Sequence, residues 1–337
     1  MTETSSVFTL GAGFDAYSAL ERGREVIRQE RDGLDLLARS LDEAFAEACS
    51  LIIHCRRRVV VCGMGKSGHV GRKMSATLSA TGSPSVFLHP AEAAHGDLGM
   101  MVQGDVLVLI SNSGNTRELR PVIAHAQAMG LKMIGIVSDP ESMVGEAVNV
   151  LLTLPPVAEA CEGSMAPTTS TTLQLALGDA LALSVMQARG VTQSRIRALH
   201  PGGSIGLRLT PVAEVMQGPS ALPLVERHTP MAEVVSVITN GRFGLAGVVD
   251  EVGDLCGVIT DGDLRRHFAM LAHATAAQVM TRSPRSIPSD MLAGDVLQFL
   301  NDEKITAAFV VKCGDPARSK RPVGIVHIHD LLQLGLS

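Results

Sequence analysis

Apolar residues in this chain follow two rhythms, and the places where the rhythm changes mark its organisation. From residue 13 to about residue 55 they recur at three- and four-residue spacings, at Leu20, Val26, Ile27, Leu34, Leu37, Leu41, Phe45 and Ile52, with Arg, Glu and Asp between them. That spacing predicts helix, packed against the next domain or against another subunit. The next apolar stretches are short and unbroken: Arg58 to Cys62, Ser85 to Leu88, Val106 to Ile110, Lys132 to Val137 and Val148 to Leu154. Rich in Val and Ile and too short for helices, they read as parallel strands covered on both faces. Helical stretches separate them, from Val70 to Ala80 and from Arg117 to about Met129. A Thr-rich run, Thr168 to Thr172, opens a long apolar helix that reaches about Arg189. Strands alternating with helices at this spacing predict the α/β class, a doubly wound parallel sheet with ligands at the carboxyl ends of its strands. His200-Pro201-Gly202-Gly203 breaks the pattern and closes the domain.

From about Leu209 the texture changes and the chain repeats itself. Val215-Met216 recurs as Val279-Met280, and Val248-Val249 as Val310-Val311. Gly257-Val258-Ile259 with Asp263-Leu264 recurs as Gly324-Ile325-Val326 with Asp330-Leu331. The offset is 64 residues for the first pair and 67 for the last, the slack lying in a hairpin loop that is longer in the second copy, Lys312 to Pro322. A duplicated βαββα unit predicts a paired α+β module in which each copy buries its open face on the other. The expected plan is an N-terminal helical segment over 1–44, an α/β domain over 45–208, and two repeats over 209–270 and 271–337.

Composition removes several classes of function. The chain has 337 residues, 46% hydrophobic and 19% charged, enough for more than one core. No apolar run approaches the ~18 residues of a membrane span. The opening MTETSSVFTLGAGFD lacks the basic and apolar regions of a signal peptide, so a cytoplasmic protein without membrane contact is expected. Net charge is −5 and no Lys/Arg cluster suits nucleic acid, Arg56-Arg57-Arg58 reading as the solvated end of a helix. Trp is absent and Tyr17 is the sole tyrosine, which leaves no aromatic platform for bases. The six cysteines (49, 55, 62, 161, 256 and 313) contain no CxxC pair, which argues against a zinc ribbon or a disulfide framework.

Two strand-to-helix connections carry the candidate chemistry. After Ile110 come Ser111, Asn112, Ser113, Gly114 and Thr116, then Arg117-Glu118-Leu119 opening a helix. Backbone N–H groups, hydroxyls and a helix dipole converge there on one anion-sized spot, although Ser, Thr and Asn also cap helices. After the first strand, Gly63-Met64-Gly65-Lys66-Ser67-Gly68 satisfies the GxGxxG fingerprint of dinucleotide sites. The second strand should then end in an acid for the ribose, but it ends Leu88-His89-Pro90, with none before Glu92. Nor is the loop a Walker A, because Val60 stands where that motif needs Gly. Two Gly/Ser-rich loops on one sheet, one of them with Lys66, suit a small phosphorylated molecule better than a dinucleotide.

With GMGKSGH, HPAEAAHGDLGM, ISNSG and TDGDLRR all unbroken, the chain resembles the arabinose-5-phosphate isomerase family over nearly its full length: a sugar isomerase (SIS) domain followed by tandem CBS modules. The resemblance implies aldose–ketose isomerisation of D-arabinose 5-phosphate and D-ribulose 5-phosphate through an enediol, in the Kdo branch of lipopolysaccharide synthesis, with no required cofactor. It carries the catalytic positions onto Lys66, Glu118, Glu159 and His200, none of them substituted. A cation suits the developing oxyanion, and a Glu or His suits proton transfer. Which group takes the C–H proton stays open at this level.

The resemblance also implies substrate contacts at Ser67, Gly82, Ser83, His89, His95, Ser111, Ser113 and Thr116. His89 is implied as a metal contact, and any zinc would be inhibitory or adventitious, since no third ligand can be named. Asn115-Thr116-Arg117 departs from relatives that often have an acid and serines, which bears on fine substrate contacts. The CBS pair implies a nucleotide regulator, with Thr260, Asp261 and Asp263 as the ribose contact, and His327-Ile328-His329-Asp330 in the second copy limits the pair to one good site. A homotetramer with shared sites is implied as well. The rival reading is a non-catalytic sugar-phosphate sensor on the same fold, and a further one an isomerase of another sugar phosphate.

Overall fold

The computed structural model describes residues 15–161, 163, 166–312 and 320–336. The expectations for residues 13 and 14, for Cys313 and for most of the long hairpin loop lie outside the described residues. The chain divides into two units, Met1–Val191 and Thr192–Ser337.

The first unit opens with helices α1 (Ala16–Ser40) and α2 (Glu43–Ile53). Apolar spacing predicts one helix here, but Asp42 intervenes: its carboxylate accepts the Ala44 N–H and starts a new helix. Then β1 (Val59–Gly63), α3 (Gly65–Ala80), β2 (Ser85–Leu88), the single turn α4 (Pro90–Ala93), β3 (Val106–Ile110), α5 (Arg120–Ala128), β4 (Lys132–Val137), α6 (Met143–Ala147), β5 (Val150–Thr153) and α7 (Thr169–Ala188) follow. All five strands are parallel, in the order β2-β1-β3-β4-β5. Alternate residues of each strand enter different cores. Val59, Val61, Val106, Val108, Ile134 and Ile136 meet α1, α2, α3 and α7. Val60, Cys62, Leu107, Leu109 and Met133 meet α4, α5 and α6. Burial pushes the Cys62 thiol up to about 12, which leaves it an inert core group.

Two boundaries differ from the sequence expectation, each for a packing reason. Helix α3 starts at Gly65, five residues before Val70: Gly65 makes the turn out of β1 at φ +57°, and the glycines that follow are contact surfaces. A β-carbon on Gly68 would meet the Gly63 carbonyl oxygen at 2.6 Å, and one on Gly71 the Phe87 ring at 3.0 Å. The helix expected from Arg117 begins as a 3-10 turn, Arg117–Leu119, and becomes α only at Arg120, with Pro121 in its first turn.

The second unit starts with α8 (Gln193–Leu199) and α9 (Ser204–Arg208), then the first copy of the repeat: β6 (Leu224–Glu226), α10 (Met231–Gly241), β7 (Leu245–Val249), β8 (Leu255–Thr260) and α11 (Asp261–Arg266). After α12 (Ala276–Val279) and the short β9 (Thr281–Arg282) comes the second copy: β10 (Ser286–Pro288), α13 (Ala293–Asp302), β11 (Ala307–Val311), β12 (Pro322–His327) and α14 (Ile328–Gln333). The sheets are ordered β6-β7-β8-β9 and β10-β11-β12. Both copies share one core of Leu245, Leu255, Ala307, Phe309 and Ile325. Packing explains the repeated Val-Met and Gly-Val/Ile motifs. A β-carbon on Gly324 would meet the Met216 sulfur at 2.2 Å, and one on Gly257 the Met280 sulfur at 2.4 Å. Each methionine therefore sits on a glycine of the other copy.

Candidate active site

The strand order reverses between β1 and β3, and open α/β sheets bind ligands in the crevice beyond the carboxyl ends of the strands at that point. Gly63 and Ile110, the last residues of these strands, are register partners, so the Lys66 connection and the serine loop leave the sheet side by side. Lys66 lies in the first turn of α3, exposed and without a partner among the described residues. Ser67 is half-buried in the same turn. Asp15, Asp42 and Ser142 cap other helices of the unit, but α3 has only Met64 at its N-cap and no side-chain cap. The first-turn N–H groups of this 16-residue helix, where Lys66 also lies, therefore have no side-chain cap.

In the serine loop the hydroxyls divide the work. Ser111 is buried: its Oγ lies 2.8 Å from Thr116 Oγ1 and accepts the Gly114 N–H at 3.1 Å. It shapes the loop, while Ser113 is exposed and Thr116 half-buried. The residue after β4 and the first turn of α6 support the loop from outside. Ser138 N–H donates to Asn112 O, Met143 N–H to Asn115 Oδ1 and Val144 N–H to Gly114 O. Gly114 holds φ +65°, and a β-carbon there would fall 1.9 Å from the Ser142 hydroxyl, so this position requires glycine. Glu118 follows in the 3-10 turn, exposed and without a bond among the described residues.

Glu159 is held quite differently. Its Oε2 accepts the Thr168 N–H at 2.7 Å, the Thr168 hydroxyl at 3.0 Å and the Ser170 N–H at 3.3 Å, at the start of α7. Burial pushes the carboxyl up, but hydrogen bonds from Ser170 and Thr168 outweigh it and hold Glu159 below the usual glutamate range. From the other side α1 grips the loop: Gln29 donates to Ala158 O at 2.8 Å and Arg22 to Ala160 O. Helices α3 and α7 run parallel, with Met74 against Gly178, Lys73 paired to Asp179, and the Arg189 guanidinium donating to Ser83 Oγ at 2.9 Å. Carried back up both helices, this register sets the first turn of α7, to which Glu159 is bonded, beside the first turn of α3.

The same register sends Gly82 and Ser83 to the far end. They close α3 at the amino end of β2, with Ser83 buried under Arg189, so one chain does not bring them to Lys66. His89 follows β2, at the carboxyl end of the sheet. Its ring lies 6.4 Å from Phe87, which Arg72 covers at 4.3 Å, and its buried Nδ1 has no partner. His95 is exposed beyond α4. Among the described residues no three His, Cys, Asp or Glu side chains gather closely enough to hold a metal ion. The donor set of one chain therefore does not fit a resident zinc at His89.

His200 belongs to the second unit, between α8 and α9. Its Nδ1 lies 2.8 Å from Ile196 O, which can only accept and so assigns a proton to Nδ1. Of the nucleotide residues, Thr260, Asp261 and Asp263 all line a cleft of about 680 Å³ between the copies. Thr260 and Asp263 are spent on each other: Asp263 Oδ2 accepts the Thr260 N–H at 2.9 Å and its hydroxyl at 2.8 Å, a capping box that opens α11. Asp261 is exposed, and Arg265, Arg266, Arg285 and Lys304 add positive charge to the lining. In the second copy His327 replaces Thr260. It accepts the His329 N–H at 3.1 Å, and Asp330 Oδ2, the counterpart of the Asp263 oxygen, is buried without a partner. Burial and the neighbouring His329 hold the His327 imidazole below its usual range.

Sequence reasoning missed the supports, Thr168, Arg22 and Gln29. Thr168 stood out only as part of a Thr-rich run, and no local pattern ties residues 22 and 29 to a loop 129–138 positions away.

The SIS domain family matches residues 52–184, and the CBS domain family matches 212–270 and 276–337. The chain is 41% identical to arabinose 5-phosphate isomerase KdsD of Pseudomonas aeruginosa over 94% of its own length and 97% of that protein. It is 40% identical to arabinose 5-phosphate isomerase KpsF of Escherichia coli, over 91% and 93% of the two chains. The structure of E. coli CFT073 c3406 in complex with arabinose 5-phosphate superposes with a TM-score of 0.54 at 32% identity, covering 56% of this chain and all of that one. A relationship that spans nearly the full length of both chains in sequence, and more than half of this chain in structure, admits one conclusion: the chain belongs to the arabinose 5-phosphate isomerase family.

Proposed function

We propose that this protein interconverts D-arabinose 5-phosphate and D-ribulose 5-phosphate through an enediol, without a cofactor, feeding the Kdo branch that the family resemblance implies. The observation that carries the reading is the pair of connections flanking the β1/β3 crevice, one presenting an unpaired Lys66 on an uncapped helix, the other a hydroxyl-lined turn. A phosphate in that crevice meets first-turn N–H groups and the exposed Ser113 hydroxyl. Lys66 stabilises the charge that develops on the sugar oxygens as the C2 proton leaves. Glu118, unbonded and exposed, is free to take that proton and return it to C1, while Glu159 stays ionised and accepts a sugar hydroxyl. His200 is retained on the sequence resemblance as the carrier of the proton that O1 gains and O2 gives up, its ring oriented by the Nδ1 contact with Ile196 O.

The cleft between the repeats is read as a regulatory nucleotide site, with Asp261 as the free carboxylate and the four cations for phosphate. Exposed apolar residues on α1 (Tyr17, Leu20, Ile27) and α7 (Leu175, Leu183) favour self-association, which light scattering of the purified protein measures directly. Incubation with D-arabinose 5-phosphate, followed by assay of ketopentose phosphate, tests the main reading. Binding without turnover of any pentose or hexose phosphate would install the sensor reading instead.

A further inference from the structure

We propose that Thr168 is a positioning residue for Glu159, fixing one carboxylate oxygen and leaving the other to face substrate. The inference rests on the reading of Glu159 as part of the active site. All three bonds from the start of α7 converge on Oε2, two of them from Thr168, and none of the described bonds reaches Oε1. The Thr168 hydroxyl also accepts the Ala160 N–H at 2.8 Å. That contact occupies a lone pair and leaves the hydroxyl proton to point at Glu159. One side chain thus ties the loop that carries the carboxylate to the helix that receives it.

Ser170 shares this work: it contributes a backbone N–H at the longer distance of 3.3 Å and a buried hydroxyl that draws the carboxyl down, while the Thr169 hydroxyl is buried without a partner. The charged and titratable groups around the loop among the described residues are few. Arg22 from α1 bonds Ala160 O and pairs with Glu25, Cys161 exchanges bonds with Ala166, and Lys66 stands at the head of the adjacent α3. Hydrogen bonds, and no neighbouring charge, therefore hold Glu159 ionised.

The test compares Thr168→Val, which keeps shape and β-branching but removes the hydroxyl, with Thr168→Ser, which restores it. Thr168→Val is expected to lower kcat about tenfold with KM for arabinose 5-phosphate within about twofold, and to move the acid limb of kcat/KM up by about one pH unit. Thr168→Ser should return both to wild-type values. An unchanged acid limb in a folded Thr168→Val protein overturns the inference. If the valine variant does not fold, Thr168→Ala, with the same hydroxyl removed and less bulk to seat, carries the same comparison. Glu159→Gln separates the two levels. Loss of turnover in that variant alongside a wild-type acid limb in Thr168→Val sinks the positioning role alone. Full turnover in Glu159→Gln removes the active-site reading of Glu159 and the role of Thr168 with it.

Discussion

Two carboxylates in this molecule, one in each unit, accept bonds from a threonine at the start of a helix, and they part company at the second oxygen. Asp263 is buried and uses both: Thr260 donates twice to Oδ2, and Arg266 closes on Oδ1 at 2.5 Å. Glu159 is half-buried and uses one, with Thr168 and Ser170 sharing Oε2. Both are held below their ordinary titration range, because burial, which raises each, is outweighed by hydrogen bonds, joined at Asp263 by the Arg266 charge. A lowered carboxylate therefore does not by itself mark a functional group. A carboxylate whose bonding capacity is exhausted within the protein is a cap, and one with an oxygen to spare has something left to offer a ligand.

That contrast can be broken at several points. Glu159→Gln and Lys66→Ala should each lower kcat on the order of 10³-fold while far-ultraviolet circular dichroism stays unchanged. If Glu159→Gln instead lowers only the melting temperature, Glu159 is a cap like Asp263 and the distinction fails. Asp263→Asn should destabilise the second unit by about 2 kcal/mol in urea titrations, because it weakens bonds to a buried charge. Acid should unfold the second unit through the same group. The folded value lies below the ordinary ~3.9, so the stabilisation is complete above that pH and disappears as pH falls through the depressed value. Melting curves between neutral pH and about pH 2 should show this slope in wild type and a flatter one in Asp263→Asn. Smallest of all, Arg266→Ala should cost about 0.5 kcal/mol, since the guanidinium is 66% exposed and the pair is screened from one side.

Much of the site was readable from residue order alone. The strand Val106–Ile110 falls where its apolar run predicts, and it is the middle strand of the sheet. The repeat was equally plain, because a Met on one copy and a Gly on the other must recur together if each copy is to seat the other. Local chemistry misled where a residue type has two uses. Gly63 to Gly68 read as a loop; Gly65 does make the turn, at φ +57°, but Gly68, and Gly71 after it, prove to be the contact face of α3. Asp42 hides a helix break inside an unbroken apolar rhythm. Thr260 and Asp263, expected as ribose contacts, line the cleft and bond one another as well.

The residue types alone determined the alternation of strand and helix, the duplication, and the presence of a phosphate-suited turn with a lysine and acids within the same chain. These are properties of neighbours in sequence: periodicity, capping chemistry and the absence of β-carbons. Tertiary structure decided which acid is anchored and which is free, that Ser111 shapes the turn while Ser113 faces outward, and that Gly82 and Ser83 stand at the opposite end of the sheet from Lys66. The reason is physical. A hydrogen bond's partner is set by where helices 100 or more positions apart come to lie, and the parallel register of α3 and α7, through Met74 on Gly178 and Lys73 on Asp179, exists only once both have packed on the same face of the sheet.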